Sequence, residues 1–293
     1  MSTVAYEIVD VFTDRPFSGN PLAVVSGADH LATDQLQTLA REFNLSETTF
    51  VLPPTSAEAT YRVRIFTTDE ELPFAGHPSV GTAVTLMRQG HFGPGRVVQE
   101  CGAGLLPIEV TAAGAATLTG AAPRLGVPVP VEALLEISGL TAEDHACSGS
   151  AVAREAGCGL DWTFLPVRRS ALARVVIDAR AAARHGVTDL GIFAWDPESA
   201  TAHARMFVAG STVWEDAATG SAALGLGVWL VGAGWLPADG LSTYHVSQGS
   251  EMKRPSRLDC TVTAVGGAAT SATVTGHVVP VATGRIAVPP FIG

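Results

Sequence analysis

The stretch ELPFAGHPSVGTAVTLM, residues 71–87, decides the fold of this chain. Glycine, histidine, proline and serine occupy positions 76–79, and the small and apolar residues after them continue without a charge until Arg88. A helix that is apolar on every side must be enclosed by other parts of the fold. Its first turn differs, because the backbone N–H groups there have no partner within the helix. The stretch therefore predicts an enclosed helix whose polar first turn reaches water.

A second stretch repeats this pattern. Residues 205–231 read RMFVAGSTVWEDAATGSAALGLGVWLV and begin with Arg-x-Phe, as does the strand that precedes the first helix at Arg64. After a three-residue difference in length the copies match at Gly76 and Gly220, Gly81 and Gly225, Val84 and Val228, and Leu86 and Leu230. The match predicts a duplication with one enclosed helix in each half. A chance alignment of small residues in a chain rich in glycine and alanine is the alternative.

The remaining pattern predicts an α+β protein of two domains, for which 293 residues suffice. A helix is expected over 33–43 with Thr33 as its cap. Two short strands are expected over 278–288, around Gly284. The proline-rich stretch 121–130 is interpreted as the interdomain linker, since neither a helix nor a central strand tolerates such a run. The domains are then residues 1–122 together with 281–293, and residues 128–278.

Composition and charge exclude several classes of protein. The formal net charge of −10 repels polyanions, which argues against nucleic acid and anionic membranes as partners. Four scattered cysteines form no C-x-x-C pair, and the N-terminus has no signal-peptide pattern, so a reducing cytoplasmic location is expected. The uncharged run 217–238 is long enough to cross a membrane, but its five glycines and missing flanking Lys/Arg cluster favour a buried helix.

Facing helix starts predict a site for a small carboxylate. Unpaired N–H groups and the helix dipole attract anions there, and glycine lets the backbone approach a ligand. If a pseudo-two-fold axis relates the halves, the two first turns face each other across a domain cleft and stabilise developing negative charge. The ionisable candidates beside these turns are Glu47, His77 and Asp216. Each also has an ordinary structural interpretation: a surface acid, a hydrogen-bonded histidine and a favourable N-terminal acid.

Four spaced motifs stand out in the chain: VDVFTDRPFSGNPLAVV at 9–25, NLSETTFVLPP at 44–54, ELPFAGHPSVGTA at 71–83 and EDAATGSAALGL at 215–226. Together they resemble the PhzF-like family of phenazine-biosynthesis proteins. The resemblance implies a diaminopimelate epimerase-like fold with two pseudo-symmetric domains. In each domain an antiparallel, barrel-like sheet surrounds a central helix, and the site lies between the domains.

The same resemblance implies a cofactor-independent isomerase that moves a proton between carbons of a dihydro-hydroxyanthranilate. No metal is expected, and homodimers are common in the family. Glu47 is the implied acid/base, and His77 and Asp216 assist by hydrogen bonding or proton handling. The substrate-binding set comprises Asn20, Ser46, Gly76, Pro78, Thr219, Gly220 and Ser221.

Two other functions stay open at this level. An amino-acid or hydroxy-acid racemase or epimerase needs two opposed acid/base groups, which Asp216 and His77 can supply. The related two-thiol racemases are disfavoured, because none of the four cysteines lies in either helix-start motif. A non-catalytic binding protein for an aromatic metabolite uses the same donors at the helix starts.

Overall fold

A computed structural model describes residues 2–146, 152–209 and 214–290. The chain divides into two compact units, and each combines a large sheet with few helices, so the fold is mixed α+β. Unit 1 comprises Met1–Leu118 and Thr275–Gly293, and unit 2 comprises Thr119–Val274. The last strand, β17 (Ala268–Ala287), contributes its first residues to unit 2 and the rest to unit 1.

Unit 1 contains a sheet that closes on itself. Besides part of β17, unit 1 contains β1 (Thr3–Val11), β2 (Asn20–Ser26), α1 (Thr33–Phe43), β3 (Glu47–Leu52), β4 (Tyr61–Phe66), β5 (Glu71–Leu72), α2 (Gly76–Arg88), β6 (Gly95–Cys101), β7 (Gly104–Val110) and β8 (Ala115–Thr119). Pairing runs from β1 through β2, β3, β4, β6, β7 and β8 to β17, which pairs with β1 again. A closed sheet has no free edge along this circuit.

Helix α2 is enclosed within unit 1, as the sequence predicts. Its first turn, which the sequence predicts to reach water, is buried as well, because it too packs against the surrounding strands. Every residue from Gly76 to Leu86 is buried, and the helix contacts β1, β2, β3, β6 and β7. Gly81 shows how closely the strands approach, because a Cβ atom there would lie 2.6 Å from Leu22 Cδ2 and 2.8 Å from Val11 Cγ2. Small residues therefore let the helix sit directly against the strands that surround it.

From β10 onward, unit 2 repeats the order of elements in unit 1. The elements of unit 2 are β9 (Arg124–Pro128), α3 (Val131–Ser138), β10 (Arg154–Gly157), β11 (Asp161–Pro166), α4 (Ala179–His185), β12 (Asp189–Asp196), β13 (Thr201–Val208), β14 (Glu215–Asp216), α5 (Gly220–Gly232), β15 (Gly240–Gln248) and β16 (Ser256–Val265). Pairing runs from β9 through β10, β11, β12, β13 and β15 to β16. Helix α5 is buried from Ala222 to Val231 and contacts β9, β10, β11 and β16.

The Arg-x-Phe sequences that mark the repeat make the same interactions in each unit. In unit 1 the Arg64 guanidinium binds both carboxylate oxygens of Glu71, at 2.7 and 2.6 Å. In unit 2 Arg205 binds Glu215 in the same way, at 2.7 and 2.8 Å. Each guanidinium also lies 5.1 Å from the centre of the phenylalanine ring two residues later. These bidentate ion pairs join the strand before each enclosed helix to the short strand that leads into it.

Four further sequence-based predictions differ from the structure. The sheets are not purely antiparallel, because β2 and β3, β4 and β6, β11 and β12, and β13 and β15 pair in parallel. Parallel neighbours need a crossover, and helices such as α1 and α2 occupy those connections. Helix α1 begins at Thr33 as expected, but Ala32 is its N-cap. Arg124–Pro128, within the predicted linker, is strand β9, and its pairing with β10 is irregular beside Pro128, as proline in a strand requires.

The fourth difference concerns the C-terminal strand. Residues 278–287 belong to the single strand β17, and Gly284 does not interrupt it. Gly284 lies opposite Tyr6 on β1, and a Cβ atom there would lie 2.6 Å from the Tyr6 hydroxyl. The glycine makes room for this ring rather than a turn.

Two further observations concern membrane spans and cysteines. Within the described parts of the chain, no helix combines the length and the apolar character that a membrane span requires. Cys101, Cys158 and Cys260 are free thiols, and Cys147 lies outside the described residues.

Gly225→Ala tests the close packing around α5. A Cβ atom at this position would lie 2.7 Å from the backbone oxygen of Ala156, which cannot rotate away. We expect a net destabilisation in urea unfolding, because overpacking costs about 1–3 kcal/mol and the gain in helix propensity is about 1 kcal/mol. Gly93→Ala is the control, since open space surrounds Gly93. Equal decreases in the free energy of unfolding of the two variants would contradict this account of the enclosure.

Candidate active site

The first candidate cluster lies in unit 1 and consists of Asn20, Ser46, Glu47 and His77. Asn20 begins β2 and Glu47 begins β3, and these strands are parallel with Leu22 opposite Glu47. Parallel pairing places the beginnings of both strands at the same end of the sheet. Helix α2 starts at this end too, with His77 as its second residue. The fold thus brings together residues that are up to 57 positions apart in the chain.

Short distances connect the four side chains. Glu47 Oε2 lies 3.5 Å from His77 Nδ1. Asn20 Nδ2 lies 3.3 Å from the same ring nitrogen, within hydrogen-bond reach. The Ser46 hydroxyl donates to Asn20 Oδ1 at 3.1 Å. The cluster is therefore a continuous polar network from Ser46 through the amide to the imidazole, with the Glu47 carboxyl beside the ring.

Burial controls the charge of Glu47. Its side chain is 17% exposed, and among the described residues its buried Oε2 atom has no hydrogen-bond partner. Loss of hydration disfavours the carboxylate and raises the Glu47 pKa to about 7, although the neighbouring Ser46 hydroxyl acts in the opposite direction. A carboxyl group with such a pKa is present in both protonation states near neutral pH. This property suits a general acid/base.

A buried hydrogen-bond chain fixes the first turn of α2. The Ser79 hydroxyl donates to Ala75 O at 2.8 Å, and Gln99 Nε2 donates to Ser79 Oγ at 2.8 Å. Tyr61 in turn donates to Gln99 Oε1 at 3.0 Å. Pro78 lies within this first turn, where its missing N–H leaves no helical bond unmade. The turn that carries His77 is thereby anchored to strands β4 and β6.

The second candidate cluster lies in unit 2, at the start of α5. Thr219 is the N-cap of the helix, and its hydroxyl donates to Asp216 Oδ2 at 2.6 Å. Gln248, at the end of β15, accepts from the Thr219 N–H at 3.2 Å and donates to Asp216 O at 2.8 Å. Gln248 Nε2 also donates to Thr219 Oγ1 at 2.9 Å. Gln248 is fully engaged and holds the Asp216–Thr219 segment in place.

The other predicted residues of unit 2 lie in the first turn of α5. Gly220 is the first helical residue, and Ser221 Oγ accepts a hydrogen bond from Trp162 Nε1 at 3.2 Å. Gln248 and Trp162 escaped the sequence analysis, because neither belongs to a helix-start motif and no spacing links them to one. Their roles follow from strands that reach the helix start only in the folded unit.

Each unit thus groups its own candidates. Unit 1 brings Asn20, Ser46, Glu47 and His77 together near Gly76 and Pro78, and unit 2 brings Asp216 and Thr219 together near Gly220 and Ser221. The action of the two clusters on one substrate stays a prediction. Within residues 2–146, 152–209 and 214–290, no three His, Cys, Asp or Glu side chains group as they would around a metal ion.

The first cluster places a titratable carboxyl beside an imidazole, and such a pair can take up and release protons. Comparisons with known proteins indicate an isomerase. The chain belongs to the family of phenazine biosynthesis-like proteins, which it matches over residues 9–284. An uncharacterized isomerase from Mesorhizobium japonicum is 37% identical over 303 aligned positions, covering 98% of this chain and 99% of the relative. The chain is an enzyme of the isomerase class.

Two further similarities concern a named enzyme and a solved structure. The trans-2,3-dihydro-3-hydroxyanthranilate isomerase of Pseudomonas aeruginosa is 32% identical over 287 positions, with 96% of this chain and 98% of that protein covered. A crystal structure of a Bacillus anthracis phenazine biosynthesis protein of the PhzF family matches with a TM-score of 0.86 and 25% identity. That match covers 98% of this chain and 100% of the other.

Glu47→Gln should stabilise the protein at alkaline pH. The Glu47 pKa rises from 4.5 to about 7 on folding, so its stabilising contribution is complete below pH 4.5 and is lost as pH rises to about 7. Glutamine keeps the neutral form, and the variant should exceed the wild type by on the order of 3 kcal/mol at pH 8. Urea unfolding between pH 4 and 8 measures the difference, with the exposed Glu58→Gln as control. A pH-independent difference would contradict the assignment.

Gln248→Leu should destabilise unit 2 and weaken the site. The variant leaves the Thr219 N–H without its side-chain acceptor and removes both donors to the Asp216 segment. Buried groups that lose a partner cost about 1–3 kcal/mol, which denaturant unfolding detects. Gln37→Leu is the control, because it removes a single hydrogen bond, to Thr67 O. A smaller loss at Gln248 than at Gln37 would show that the network does not hold the helix start.

Proposed function

We propose that the protein is a cofactor-independent isomerase that moves a proton between two carbons of a small cyclic carboxylate. The substrate class follows the similar enzyme from Pseudomonas aeruginosa, which is named for trans-2,3-dihydro-3-hydroxyanthranilate. The observation that carries the proposal is the Glu47 carboxyl, which is largely shielded from water beside His77 and has a pKa of about 7. Such a group takes a proton in one step and returns it in the next without a large free-energy cost in either direction.

The proposed reaction needs no change in oxidation state. The Glu47 carboxylate removes a proton from a carbon next to a double bond, and the electrons of the C–H bond form a new double bond. The existing double bond shifts, and its far carbon accepts the proton from the Glu47 carboxyl. Negative charge that develops on the substrate is stabilised by hydrogen-bond donors at the α2 start and by the positive end of the helix dipole.

We assign the second cluster to binding of the same substrate. Thr219, Gly220 and Ser221 form the start of α5, where backbone N–H groups favour a carboxylate. Asp216 is positioned by Thr219 and Gln248 and suits the substrate amino group. On this proposal Asp216→Asn mainly raises KM, whereas substitution of Glu47 mainly lowers kcat.

The two units are proposed to be products of an internal duplication with pseudo-two-fold symmetry. The shared order of elements and the paired Arg–Glu–Phe interactions support this. A homodimer in the cytoplasm is also proposed, on the resemblance to the family. Light scattering of the purified protein at several concentrations tests the dimer.

The decisive experiment follows Glu47→Gln with trans-2,3-dihydro-3-hydroxyanthranilate in D₂O, using proton NMR. We expect kcat to fall by a factor of about 10²–10⁴, the typical contribution of a general acid/base. Binding of the substrate, measured by calorimetry, should be largely retained. Glu58→Gln, on the surface, should react like the wild type.

Two outcomes of this experiment would contradict the proposal. If Glu47→Gln isomerised the substrate or exchanged deuterium at the wild-type rate, another group would handle the proton. Inversion at one stereocentre without migration of a double bond, followed by optical rotation, would instead identify a racemase or epimerase.

A further inference from the structure

The polar network around His77 restricts where its proton can lie. An asparagine Nδ2 atom is only a donor, so a hydrogen bond from Asn20 Nδ2 makes His77 Nδ1 the acceptor. The Ser46 hydroxyl donates to Asn20 Oδ1 in the same network. A neutral imidazole has one acceptor nitrogen and one donor nitrogen. With Nδ1 as the acceptor, the ring hydrogen belongs to Nε2.

We propose that Asn20 is a positioning residue that holds His77 as a neutral imidazole with its hydrogen on Nε2. This inference rests on the proposed isomerase for its catalytic meaning. Under it, His77 donates a hydrogen bond to the reacting system and does not carry the transferred proton. Glu47 alone carries that proton, because the lone pair of Nδ1 is already used by Asn20 when the Glu47 carboxyl approaches it.

Two features of unit 1 oppose an imidazolium at this position. The His77 side chain is only 3% exposed, and burial disfavours a charged ring. His77 is also the second residue of α2, where the positive end of the helix dipole repels a cation. The Glu47 carboxylate acts in the other direction, but with a Glu47 pKa of about 7 roughly half of these carboxyl groups are neutral at pH 7.

Other titratable groups lie on the strands around α2, and two of the carboxylates have partners of their own. Asp10 alternates with Val9 and Val11, which approach the helix, and its carboxylate accepts the Phe17 N–H at 2.6 Å. Glu7 pairs with Arg88, in the last turn of α2. The remaining titratable side chains on strands that contact α2 are Tyr6, Arg96, Glu100, Cys101 and Glu109.

The protonation of His77 can be measured without substrate. Uniformly ¹⁵N-labelled protein gives long-range proton–nitrogen spectra that distinguish the two neutral tautomers from the imidazolium. The chain has eight histidines, and His77→Gln identifies the signals of His77 by their loss. We expect the neutral tautomer with hydrogen on Nε2 throughout pH 6–8. A wild-type spectrum with hydrogen on Nδ1, or an imidazolium at pH 7, would overturn the proposal.

Asn20→Asp supplies the matched perturbation. A carboxylate accepts a hydrogen bond from Nδ1–H and should convert His77 to the imidazolium at pH 7, with kcat/KM lowered about tenfold or more. Asn44→Asp adds the same charge at an exposed position three residues from Glu47 and should leave the His77 spectrum unchanged. An unchanged neutral Nε2–H spectrum in folded Asn20→Asp would show that Asn20 does not control the ring.

These results separate the inference from the proposed function. The expected spectrum with an inactive wild-type protein would refute the proposed reaction and leave the assignment of Asn20 intact. An active enzyme whose rate depends on Glu47, but whose His77 is an imidazolium, would refute the assignment of Asn20 and leave the reaction intact.

Discussion

Enclosure of an apolar helix by strands is the constraint on which the rest of this structure depends. Helix α2 is buried from Gly76 to Leu86, so side chains along most of its length are surrounded by strands rather than solvent. The first turn differs from the rest of the helix in its backbone, because the N–H groups there lack helical partners. The same constraint applies to α5 in unit 2, whose buried residues include ten consecutive positions from Ala222 to Val231. Each unit consequently offers one helix start as its polar end.

Enclosure also determines which small residues the fold can use. Gly225 faces the backbone of Ala156, and Gly227 faces the Tyr244 hydroxyl, where a Cβ atom would lie 2.3 Å away. That hydroxyl donates to Ala223 O at 2.6 Å, so the glycine leaves room for a buried hydrogen bond. Polar groups that enter these interiors are paired in chains such as Tyr61–Gln99–Ser79. Tight packing and paired polar groups together hold the helix starts in one geometry.

The ionised Glu47 carboxyl lowers the stability of the folded protein. Its burial disfavours the carboxylate, so the free energy of unfolding decreases when this group ionises. The surroundings compensate only in part, since Ser46 stabilises the charge and Oε2 lacks a hydrogen-bond partner among the described residues. Active sites commonly hold groups in such environments, because a shifted pKa suits proton transfer near neutral pH.

The sequence was sufficient to predict the enclosed helices and the repeat, because apolar runs are local patterns. It also indicated Glu47, His77 and Asp216 as candidates, because these residues lie in or near the helix-start motifs. Parallel pairing of β2 with β3 was not accessible, since it depends on a crossover between distant segments. The same is true of Gln248, which reaches the Asp216–Thr219 segment only through the position of β15. Sequence by itself thus determined which segments are buried and which residues are ionisable near their ends. Tertiary structure alone decided the partners, distances and burial that set their charge, because these arise from contacts between residues far apart in the chain.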